Sequence, residues 1–425
     1  MTVQKHLKQL IRGRMQKTGE RYSAARRIVL AQPPETPRDP ATQWHFAGNV
    51  PATTALRTLL ANGGVRAPHT GQPFSEAMLF GIAGGIGMGV MSFYYEKAGV
   101  ATFFLAGRHQ WHDHVAYLKE ALGAFGIQPV IAETTGAAAA RKQLAEALEK
   151  YGPAVAWVEG YRVITVYSVD EKEKVARIGD LTDDPISIPL AELAATRARV
   201  KGQKNRLLSI ASGGKSPDLA ALVNRGLRRC SEVLLNPTLA PAKSSCQLEA
   251  LQTWAARMHG SDDKESWTKR FPPGPNLWRG LRSIYNFIEL YGTGGGLCRS
   301  IFADFLNEAG AALGRNDLKS LAGRYEDLGR QWSDLAEAAM PDRIPALRED
   351  RLEQTGKMES LRCGETRAQA ESAEQSLGGE EKKPFPLNEK EADALRADLK
   401  KRILKIYEAE TTSHEAMRNV IAKSQ

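Results

Sequence analysis

Residues 77–95 read Ala-Met-Leu-Phe-Gly-Ile-Ala-Gly-Gly-Ile-Gly-Met-Gly-Val-Met-Ser-Phe-Tyr-Tyr, a run of nineteen residues without a formal charge. Five of these residues are glycine, and no other part of the chain is as apolar or as rich in glycine. The run is close to the ~20 residues that a membrane-spanning helix needs, but each glycine costs a helix interior about 0.8–1.0 kcal/mol relative to alanine. No cluster of lysine or arginine flanks the run to fix an orientation. We therefore expect a protein that does not span a membrane.

The same run lacks the spacing of a phosphate-binding loop. A dinucleotide-binding loop needs a third glycine at residue 90, after Gly85-Ile86-Gly87, and the chain has valine there. Residues 209–216 end in Gly-Lys-Ser but begin with serine, where a P-loop has its first glycine. The remaining interpretation is a tightly turned wall whose glycines allow the backbone to approach a ligand closely. We predict ligand contacts along this wall and just before it, at Ser75, Glu76, Gly84, Gly85 and Gly87.

The net charge of +9 is concentrated at the N-terminus. Residues 1–30 contribute +7 of it, which leaves +2 for the rest of the chain. A nearly neutral body gives no general electrostatic case for nucleic-acid binding. Apolar residues at helical spacing in 3–16, a break at Thr18-Gly19 and a second short helix over 22–31 predict a basic two-helix arm. We interpret the arm as a solvated or subunit-contacting helical pair, and contact with DNA or an acidic partner is the alternative.

Periodicity divides the chain beyond the arm into a mixed part and a helical part. β-branched runs such as 100–106, 163–170 and 207–210 predict strands, and an early helix followed by many strands is typical of an α+β domain with an antiparallel sheet. After residue 217, apolar stripes at three- and four-residue spacing predict only helices. The predicted parts are a basic two-helix arm (1–31), a proline-rich linker (32–42), an α+β domain (43–212), an all-helical domain (218–346), a charged flexible segment (347–387) and an amphipathic C-terminal helix (388–425).

Cysteine and histidine spacing predicts no metal site and no cofactor. The four cysteines are scattered, and the basic opening lacks the apolar core of a secretory signal, so we expect a reducing, cytoplasmic setting. On a helix, His109, His112 and Asp113 would share one face as candidate metal ligands while His114 points away, and the sequence suggests no fourth ligand. The sequence Thr-Gly-Gly-Gly-Leu-Cys-Arg at 293–299 predicts a candidate anion-binding loop formed by Gly294, Gly295, Gly296 and Arg299. Cys298 in this loop is either a small buried residue or a thiol acidified by a helix dipole.

Several motifs together resemble one protein family. They are Pro-Ala-Thr-Thr-Ala-Leu-Arg-Thr-Leu-Leu at 51–60, Phe-Ser-Glu-Ala-Met-Leu-Phe-Gly-Ile-Ala-Gly-Gly-Ile-Gly at 74–87 and Tyr-Gly-Thr-Gly-Gly-Gly-Leu-Cys-Arg at 291–299. The first two resemble the N-terminal domain of the butirosin-biosynthesis protein H family, and the third is similar to the helical domain of unknown function that often follows it. The resemblance covers residues 43–345. It implies a papain-like fold, related to bacteriocin-processing peptidases, followed by a helical domain.

The resemblance also implies an activity and three catalytic groups. The family's type member moves an acyl group from a carrier protein to an aminoglycoside amine, so the implied partners are an acyl carrier protein and a small-molecule amine or acyl substrate. The implied groups are a cysteine at the start of the first helix, a histidine that opens a central strand and an aspartate on the next strand. Asp180 fits the aspartate position. No cysteine precedes Cys230, and Arg162 stands where the histidine is expected.

Two functions therefore stay open. The first is a binding or accessory member of the family, in which Arg162, Asp180 and Glu76 form a charged cluster that holds a carboxylate or a phosphate. The second is an acyltransferase or amide-forming enzyme that uses a rearranged nucleophile on a carrier-bound acyl group. Nucleic-acid contact through the basic arm is a distant third.

The enzyme hypothesis needs a hydroxyl or thiol nucleophile and a base. Thr53, with its neighbour Thr54, lies where the helix begins, and His45 is the nearby candidate base beside the candidate Asp180. Cys298 is a further candidate nucleophile. Both threonines are equally suited to capping the helix, which is the structural alternative to a catalytic role.

Overall fold

A computed structural model describes residues 3–31, 43–108, 114–159, 162–180, 182–211, 218–235, 245–260, 263–362 and 384–423. The chain forms two compact units from interleaved segments. Unit 1 consists of Met1–Ala83, His114–Arg225 and Leu361–Glu365. Unit 2 consists of Gly84–Asp113, Gly226–Ser360 and Thr366–Gln425. The boundary between Ala83 and Gly84 divides the uncharged run between the two units.

The described elements are numbered in chain order. The helices are α1 (Val3–Thr18), α2 (Tyr22–Leu30), α3 (Pro51–Asn62), α4 (Glu76–Ile82), α5 (His114–Ala124), α6 (Ala137–Tyr151), α7 (Leu190–Arg199), α8 (Leu219–Leu235), α9 (Gln247–Met258), α10 (Trp267–Arg270), α11 (Pro275–Tyr285), α12 (Arg299–Ala312), α13 (Asn316–Ala339), α14 (Pro345–Arg362) and α15 (Glu389–Ala422). The strands are β1 (Gly89–Tyr95), β2 (Val100–Ala106), β3 (Pro129–Ala132), β4 (Ala154–Val158), β5 (Arg162–Asp170), β6 (Val175–Gly179), β7 (Ile186–Pro189), β8 (Leu207–Ile210) and β9 (Ser245–Cys246). A π-helical turn over Asn286–Leu290 follows α11.

Unit 1 is built on a six-stranded sheet with the order β3-β8-β4-β5-β6-β7. Every neighbouring pair in it is antiparallel. The central strand β4 is apolar and buried along its whole length, which is typical of a strand covered on both faces. Leu144 of α6 and Leu193 of α7 pack in one core with Ile164 and Ile178 of the sheet. The sheet confirms the predicted combination of helices with antiparallel strands.

Helix α3 packs on β5, and this pairing positions the candidate site. Alternation along β5 places Val163, Thr165 and Tyr167 on the face opposite to Ile164. The register of β5 with β6 shifts between Val166 and Ser168, so Tyr167 is the extra residue of a β-bulge. Because a bulge changes the direction of the side chain that it carries, this irregularity aims the Tyr167 hydroxyl.

The basic arm forms the two helices that the sequence predicts, α1 and α2. Gly19 adopts a φ of +70°, in the left-handed region that favours glycine, and so ends α1. The two helices pack through Ile11 on α1 and Tyr22 and Ala25 on α2. The arm is counted within unit 1.

Unit 2 combines helices with a small sheet of order β2-β1-β9. Its core includes Phe103 of β2, Trp254 of α9 and Trp332 of α13. α15 begins with a capping box, in which Asn388 and Glu391 exchange side-chain to backbone hydrogen bonds. Its buried face carries Leu395, Leu399, Ile403 and Ile406, which confirms the predicted amphipathic C-terminal helix.

Three differences from the predicted domain organisation have clear physical causes. The mixed domain is not one continuous segment over 43–212, because β1 and β2 belong to unit 2. The C-terminal domain is consequently not all-helical, since Met88 and Phe103 complete its apolar core. The predicted flexible segment 347–387 is partly wrong, because α14 extends to residue 362 and buries Leu347 and Met358. Residues 363–383 of that segment and the proline-rich linker over 32–42 lie outside the described residues.

Candidate functional site

A pocket lies in unit 1 beside the first turn of α3. It contains about 470 Å³ of empty space, part of which is open to solvent. We call it the α3 pocket. Its lining residues are His45, Phe46, Gly48, Asn49, Pro51, Thr54, Ala55, Thr58, Val163, Thr165, Tyr167, Gly179, Asp180, Thr182 and Arg362.

The start of α3 is capped by a carboxylate from another part of the chain. The Glu76 carboxylate accepts hydrogen bonds from the backbone N–H groups of Asn49 and Val50, each at 2.8 Å from Oε1. It also accepts one from the Asn49 side chain at 3.1 Å. A negative charge at this position complements the positive end of the helix dipole. Val50 is the N-cap residue and makes no side-chain capping bond, so the expectation that a threonine caps this helix is wrong.

The two threonines at the start of α3 have different environments. Thr53 is fully buried, and its hydroxyl lies 3.0 Å from the Tyr117 hydroxyl, so it does not line the pocket. Thr54 does line the pocket, and its hydroxyl lies 2.8 Å from Glu76 Oε1 and 3.0 Å from the Val50 carbonyl. Of the two, Thr54 is therefore the residue whose hydroxyl lines the pocket.

The backbone at residue 48 lies so close to the Thr54 and Glu76 side chains that only glycine fits there. An added Cβ at Gly48 would lie 1.8 Å from Thr54 Oγ1 and 2.7 Å from Glu76 Oε1. Both distances are shorter than any real Cβ contact. The close packing of Gly48 against this hydroxyl and carboxylate fixes the edge of the α3 pocket.

His45 lines the pocket with both of its ring nitrogens engaged. Nε2 lies 2.9 Å from the Asp183 carbonyl oxygen, and because a carbonyl only accepts, Nε2 must carry a hydrogen. Nδ1 lies 2.6 Å from the Tyr167 hydroxyl. Burial lowers the pKa of His45 below its usual 6.5, and in the resulting neutral ring Nδ1 accepts from the tyrosine O–H. Neither nitrogen is then directed at a threonine hydroxyl.

Asp180 and Arg162 form an ion pair at one end of the sheet. Arg162 opens β5, Asp180 follows β6, and Arg162 Nη1 lies 3.0 Å from Asp180 Oδ2. The Asp180 side chain is 6% exposed and the Arg162 side chain 34%. The structure thus joins two of the predicted site residues, with Asp180 at the pocket wall.

An arginine of the basic arm completes the polar surroundings of the α3 pocket. Arg26 is fully buried and forms an ion pair with Asp183. Its Nη1 donates to the Gly48 carbonyl at 2.8 Å and to Asn49 Oδ1 at 2.9 Å. This side chain connects α2 to the residues that precede α3. Arg26 is therefore an internal structural cation of unit 1.

The predicted glycine-rich wall is divided between the two units, and its part from Gly84 onward belongs to unit 2. Ser75 is the N-cap of α4 and accepts from the Met78 N–H at 2.9 Å. The Gly84 carbonyl accepts from Arg108 Nη1 at 2.9 Å. Gly84, Gly85 and Gly87 are not among the lining residues of the α3 pocket, and ligand contacts at these glycines stay a prediction.

Arg299 of the predicted anion loop is instead part of a buried ion pair, which we call the Arg299 cluster. Arg299 Nε lies 2.7 Å from Glu410 Oε1, and neither side chain is exposed. Trp332 Nε1 donates to the same carboxylate oxygen at 2.9 Å. Arg299 Nη1 donates to the carbonyls of Leu297 at 2.7 Å and Gly87 at 3.3 Å. A hydrogen bond between Arg299 and the Gly87 carbonyl therefore joins these two motifs.

The N–H groups of the glycine loop are used inside the protein. The Gly295 N–H donates to Thr293 Oγ1 and the Gly296 N–H to a carboxylate oxygen of Glu289, both at 3.4 Å. Gly294 adopts a φ of +68° in the same loop. Since an internal carboxylate already faces Gly296, the loop differs from an open anion site. Cys298 is fully buried at the N-cap of α12, as expected for the structural interpretation of this residue.

Among the described residues, no group of three or more histidine, cysteine, aspartate and glutamate side chains could hold a metal ion. The predicted candidate ligands at 109–113 lie outside those residues. No described helix is long and apolar enough to cross a bilayer.

A comparison with protein families matches part of the chain. A family model described as a domain of unknown function (DUF4872) matches residues 190–370. The matched range covers less than half of the chain. It includes Arg299 and Arg362 but leaves out His45, Thr54 and Asp180. No curated protein matches the chain.

Sequence reasoning missed three residues that shape the α3 pocket. Arg26 carried a usable signal, because it shares the buried face of α2 with Tyr22 and Ala25 and so lies at an apolar position. Tyr167 is placed by a bulge, and Arg362 comes from a part of the chain far from the other lining residues. Neither of these two carries a local signal in the sequence.

Proposed function

We propose that this protein is a binding or accessory member of a biosynthetic acyltransferase-like family. In this proposal the α3 pocket holds a small amine, an acyl group or the acyl end of a loaded carrier protein without forming a covalent bond to it. Unit 1 would be a papain-like scaffold, in which a helix start meets an antiparallel sheet. The packing of α3 on β5 and the position of Asp180 after β6 support this assignment.

The observation that carries the proposal is the bonding of His45. Covalent acyl transfer needs a nucleophile within hydrogen-bond reach of a base. Both ring nitrogens of His45 are engaged, by the Asp183 carbonyl and the Tyr167 hydroxyl. The described residues that line the pocket include no cysteine. A pocket without a free base beside a nucleophile favours binding over covalent catalysis.

The second candidate function is an acyltransferase with a rearranged nucleophile, and one contact favours it. The Thr54 hydroxyl lies in the pocket and 2.8 Å from a Glu76 carboxylate oxygen, which has the geometry of a nucleophile and a base. Three further donors point at the same carboxylate, from Asn49 and Val50. Because its oxygens already accept these bonds, the carboxylate is better suited to holding α3 than to removing a proton.

A turnover assay with a binding readout separates the two functions. The protein is incubated with acyl-loaded carrier proteins and a panel of aminoglycoside amines, while the release of free carrier thiol and the binding of each carrier are measured. The binding proposal predicts saturable binding and no thiol release above the rate without protein. Sustained thiol release that is lost in Thr54→Val would establish the second candidate and overturn the first.

A pocket-filling variant tests whether binding uses the α3 pocket. Ala55 lines the pocket and is buried, so Ala55→Phe should abolish carrier or amine binding. The matched control is Ala138→Phe, at an exposed position on α6. Equal binding by both variants would exclude the α3 pocket, and no binding of any carrier or amine by the natural protein would exclude the proposal.

A further inference from the structure

One edge of strand β1 in unit 2 is open for most of its length. β1 pairs with β2 from Gly89 to Tyr95. On its other side, β9 pairs only with Gly89 and Val90. The backbone over residues 91–95, which we call the β1 edge, therefore has no strand partner on that side within the described part of the chain. An edge of this kind is a template for pairing with another chain.

Large aromatic side chains at the β1 edge are exposed to solvent. Phe93 is 48% exposed, Tyr94 41% and Tyr95 54%. Edge strands are commonly protected by lysine or proline, and the sequence of the β1 edge, Met-Ser-Phe-Tyr-Tyr, contains neither. The Phe93 ring packs against Phe104 of β2 at 5.8 Å between centroids, and the Arg270 guanidinium lies 5.1 Å from the centroid of the Tyr94 ring. The β1 edge is therefore an apolar surface whose rings are held by their neighbours.

The direction of the backbone groups follows from one hydrogen bond at the start of the strand. The Gln247 N–H, next to β9, donates to the Met88 carbonyl at 3.0 Å. The register of β1 with β2 is regular throughout, and backbone groups alternate in direction along a strand. Those of Ser92 and Tyr94 consequently point to the same side as the Met88 carbonyl, away from β2. The N–H and C=O groups of these two residues are the ones that the β1 edge offers to a partner.

The sequence that precedes β9 is poorly suited to cover this edge. In the pairing of β1 with β9, Gly89 faces Cys246 and Val90 faces Ser245, and the same register would place residue 241 opposite Tyr94. Residue 241 is proline, which has no N–H to donate to the Tyr94 carbonyl. A simple extension of β9 is therefore disfavoured, and the pairing partner has to come from another chain.

We propose that the β1 edge pairs antiparallel with the β1 edge of a second copy of this chain, about a two-fold axis at Phe93. In this register Ser92 of each copy faces Tyr94 of the other. Both residues direct their N–H and C=O groups outward, so each facing pair exchanges both of its hydrogen bonds.

The side chains of the β1 edge suit this self-pairing. Phe93 faces its own copy at a non-hydrogen-bonded position, where side chains approach most closely and aromatic pairs stabilise a sheet. No like charges meet across the axis, because the strand contains no charged residue. The same patch serves both copies, as a two-fold symmetric interface requires. The inference goes beyond the proposed function, since no residue of β1 lines the α3 pocket.

Sedimentation of the full chain at protein concentrations from micromolar to submillimolar measures this association. We expect a reversible equilibrium between monomer and dimer. Phe93→Lys places two like charges opposite each other and should raise the dissociation constant of the dimer about tenfold or more. Leu352→Lys is the matched control, because Leu352 is 56% exposed on α14 of unit 2 and lies outside the β1 edge. The control should dimerise like the natural protein.

A mixture of opposite charges tests the register. Phe93→Glu alone should weaken the dimer, whereas an equimolar mixture of Phe93→Lys and Phe93→Glu should form a heterodimer, because the two side chains face each other in the proposed pairing. If these variants do not fold, Ser92→Pro removes an outward N–H without removing a bond to β2, and it should weaken the dimer as well.

Three results would overturn the inference. They are a natural protein that stays monomeric at every concentration, a dimer that Phe93→Lys and Leu352→Lys weaken equally, and a charge mixture that stays monomeric although both variants fold. Each of them leaves the carrier-binding assay of the α3 pocket unchanged.

Discussion

Each of the two units contains a buried arginine in an ion pair, but the surroundings of the two pairs differ. Arg26 in unit 1 pairs with Asp183 and donates to the Gly48 carbonyl, and Arg299 in unit 2 pairs with Glu410 and donates to the Gly87 carbonyl. Each side chain is fully buried and joins an acidic residue to a glycine backbone.

The difference lies in what surrounds each pair. Gly48 and Asn49, which accept hydrogen bonds from Arg26, line the α3 pocket, whereas Trp332 and Leu297 complete an enclosed core around Arg299. A conspicuous motif with a buried charge therefore does not by itself mark a binding site. Open space beside the pair distinguishes the candidate site from the structural one.

The largest expected effect comes from breaking the enclosed pair. Arg299→Met leaves the Glu410 carboxylate buried without its cation, which should cost about 3–5 kcal/mol of unfolding free energy. Denaturant unfolding followed by tryptophan fluorescence measures this loss. The control is Arg330→Gln, which removes an exposed pair with Asp327 and should cost no more than ~1 kcal/mol. A loss in Arg299→Met no larger than in the control would contradict the structural assignment of the cluster.

A smaller effect is expected at the edge of the α3 pocket. Gly48→Ala places a methyl group 1.8 Å from Thr54 Oγ1. Overpacking of this kind typically lowers the free energy of unfolding by about 1–3 kcal/mol. Gly323→Ala is the matched control, because an added Cβ in that helix meets nothing within 4 Å. The control should be neutral or stabilised by up to ~1 kcal/mol. Equal stabilities of the two variants would show that Gly48 is not closely packed.

The acid dependence of stability tests the bonding of His45. Its pKa in the folded protein is lowered by burial, so the unfolded chain takes up the proton first as the pH falls. The contribution of the neutral ring is full above the unfolded value of 6.5 and is lost as the pH falls from there towards the lower folded pKa. Asp183 and Asp184 act to raise this pKa, and Arg177 acts to lower it.

The expected outcome is a loss of stability below pH 6.5 that is reduced in His45→Asn. Burial also lowers the pKa of His414 in unit 2, so the acid dependence of His414→Asn is measured in parallel. Unfolding midpoints between pH 5 and pH 8 provide the measurement. An unchanged acid dependence in His45→Asn would mean that the ring is already protonated or exposed in the folded protein.

The smallest effect is expected for the Thr54 hydroxyl. Thr54→Val removes one bond to the Glu76 carboxylate, which still accepts from Asn49 and Val50. A loss of about 0.5–1.5 kcal/mol is typical of a single hydrogen bond. Carrier or amine binding should persist in this variant, and its loss together with unchanged stability would give Thr54 a direct role in the ligand site.

Local elements were well predicted from the sequence because their patterns are local. The strands over 100–106 and 207–210 have the predicted bounds. β-branched runs and apolar stripes carry this information without long-range contacts. The strand β1 was not predicted, because its glycine-rich approach hides the alternation of the residues that follow.

The site was predicted only in part. His45 and Asp180 were named as candidates, and both line the α3 pocket. Thr53 was predicted as a site residue, but its hydroxyl is bonded to Tyr117. The next residue of the helix, Thr54, lines the pocket instead. Arg26 and Arg362 enter from distant parts of the chain, so no spacing in the sequence connects them with the pocket. The assembly of the site depends on tertiary packing that a pattern does not contain.

The most direct test of the account is the intact mass of the protein after incubation with acyl-loaded carrier proteins. We expect an unchanged mass for the natural protein, under conditions in which the carrier is bound, because His45 has no nitrogen directed at a nucleophile. A stable increase equal to the acyl group, mapped by peptide mass spectrometry to a residue of the α3 pocket, would contradict it.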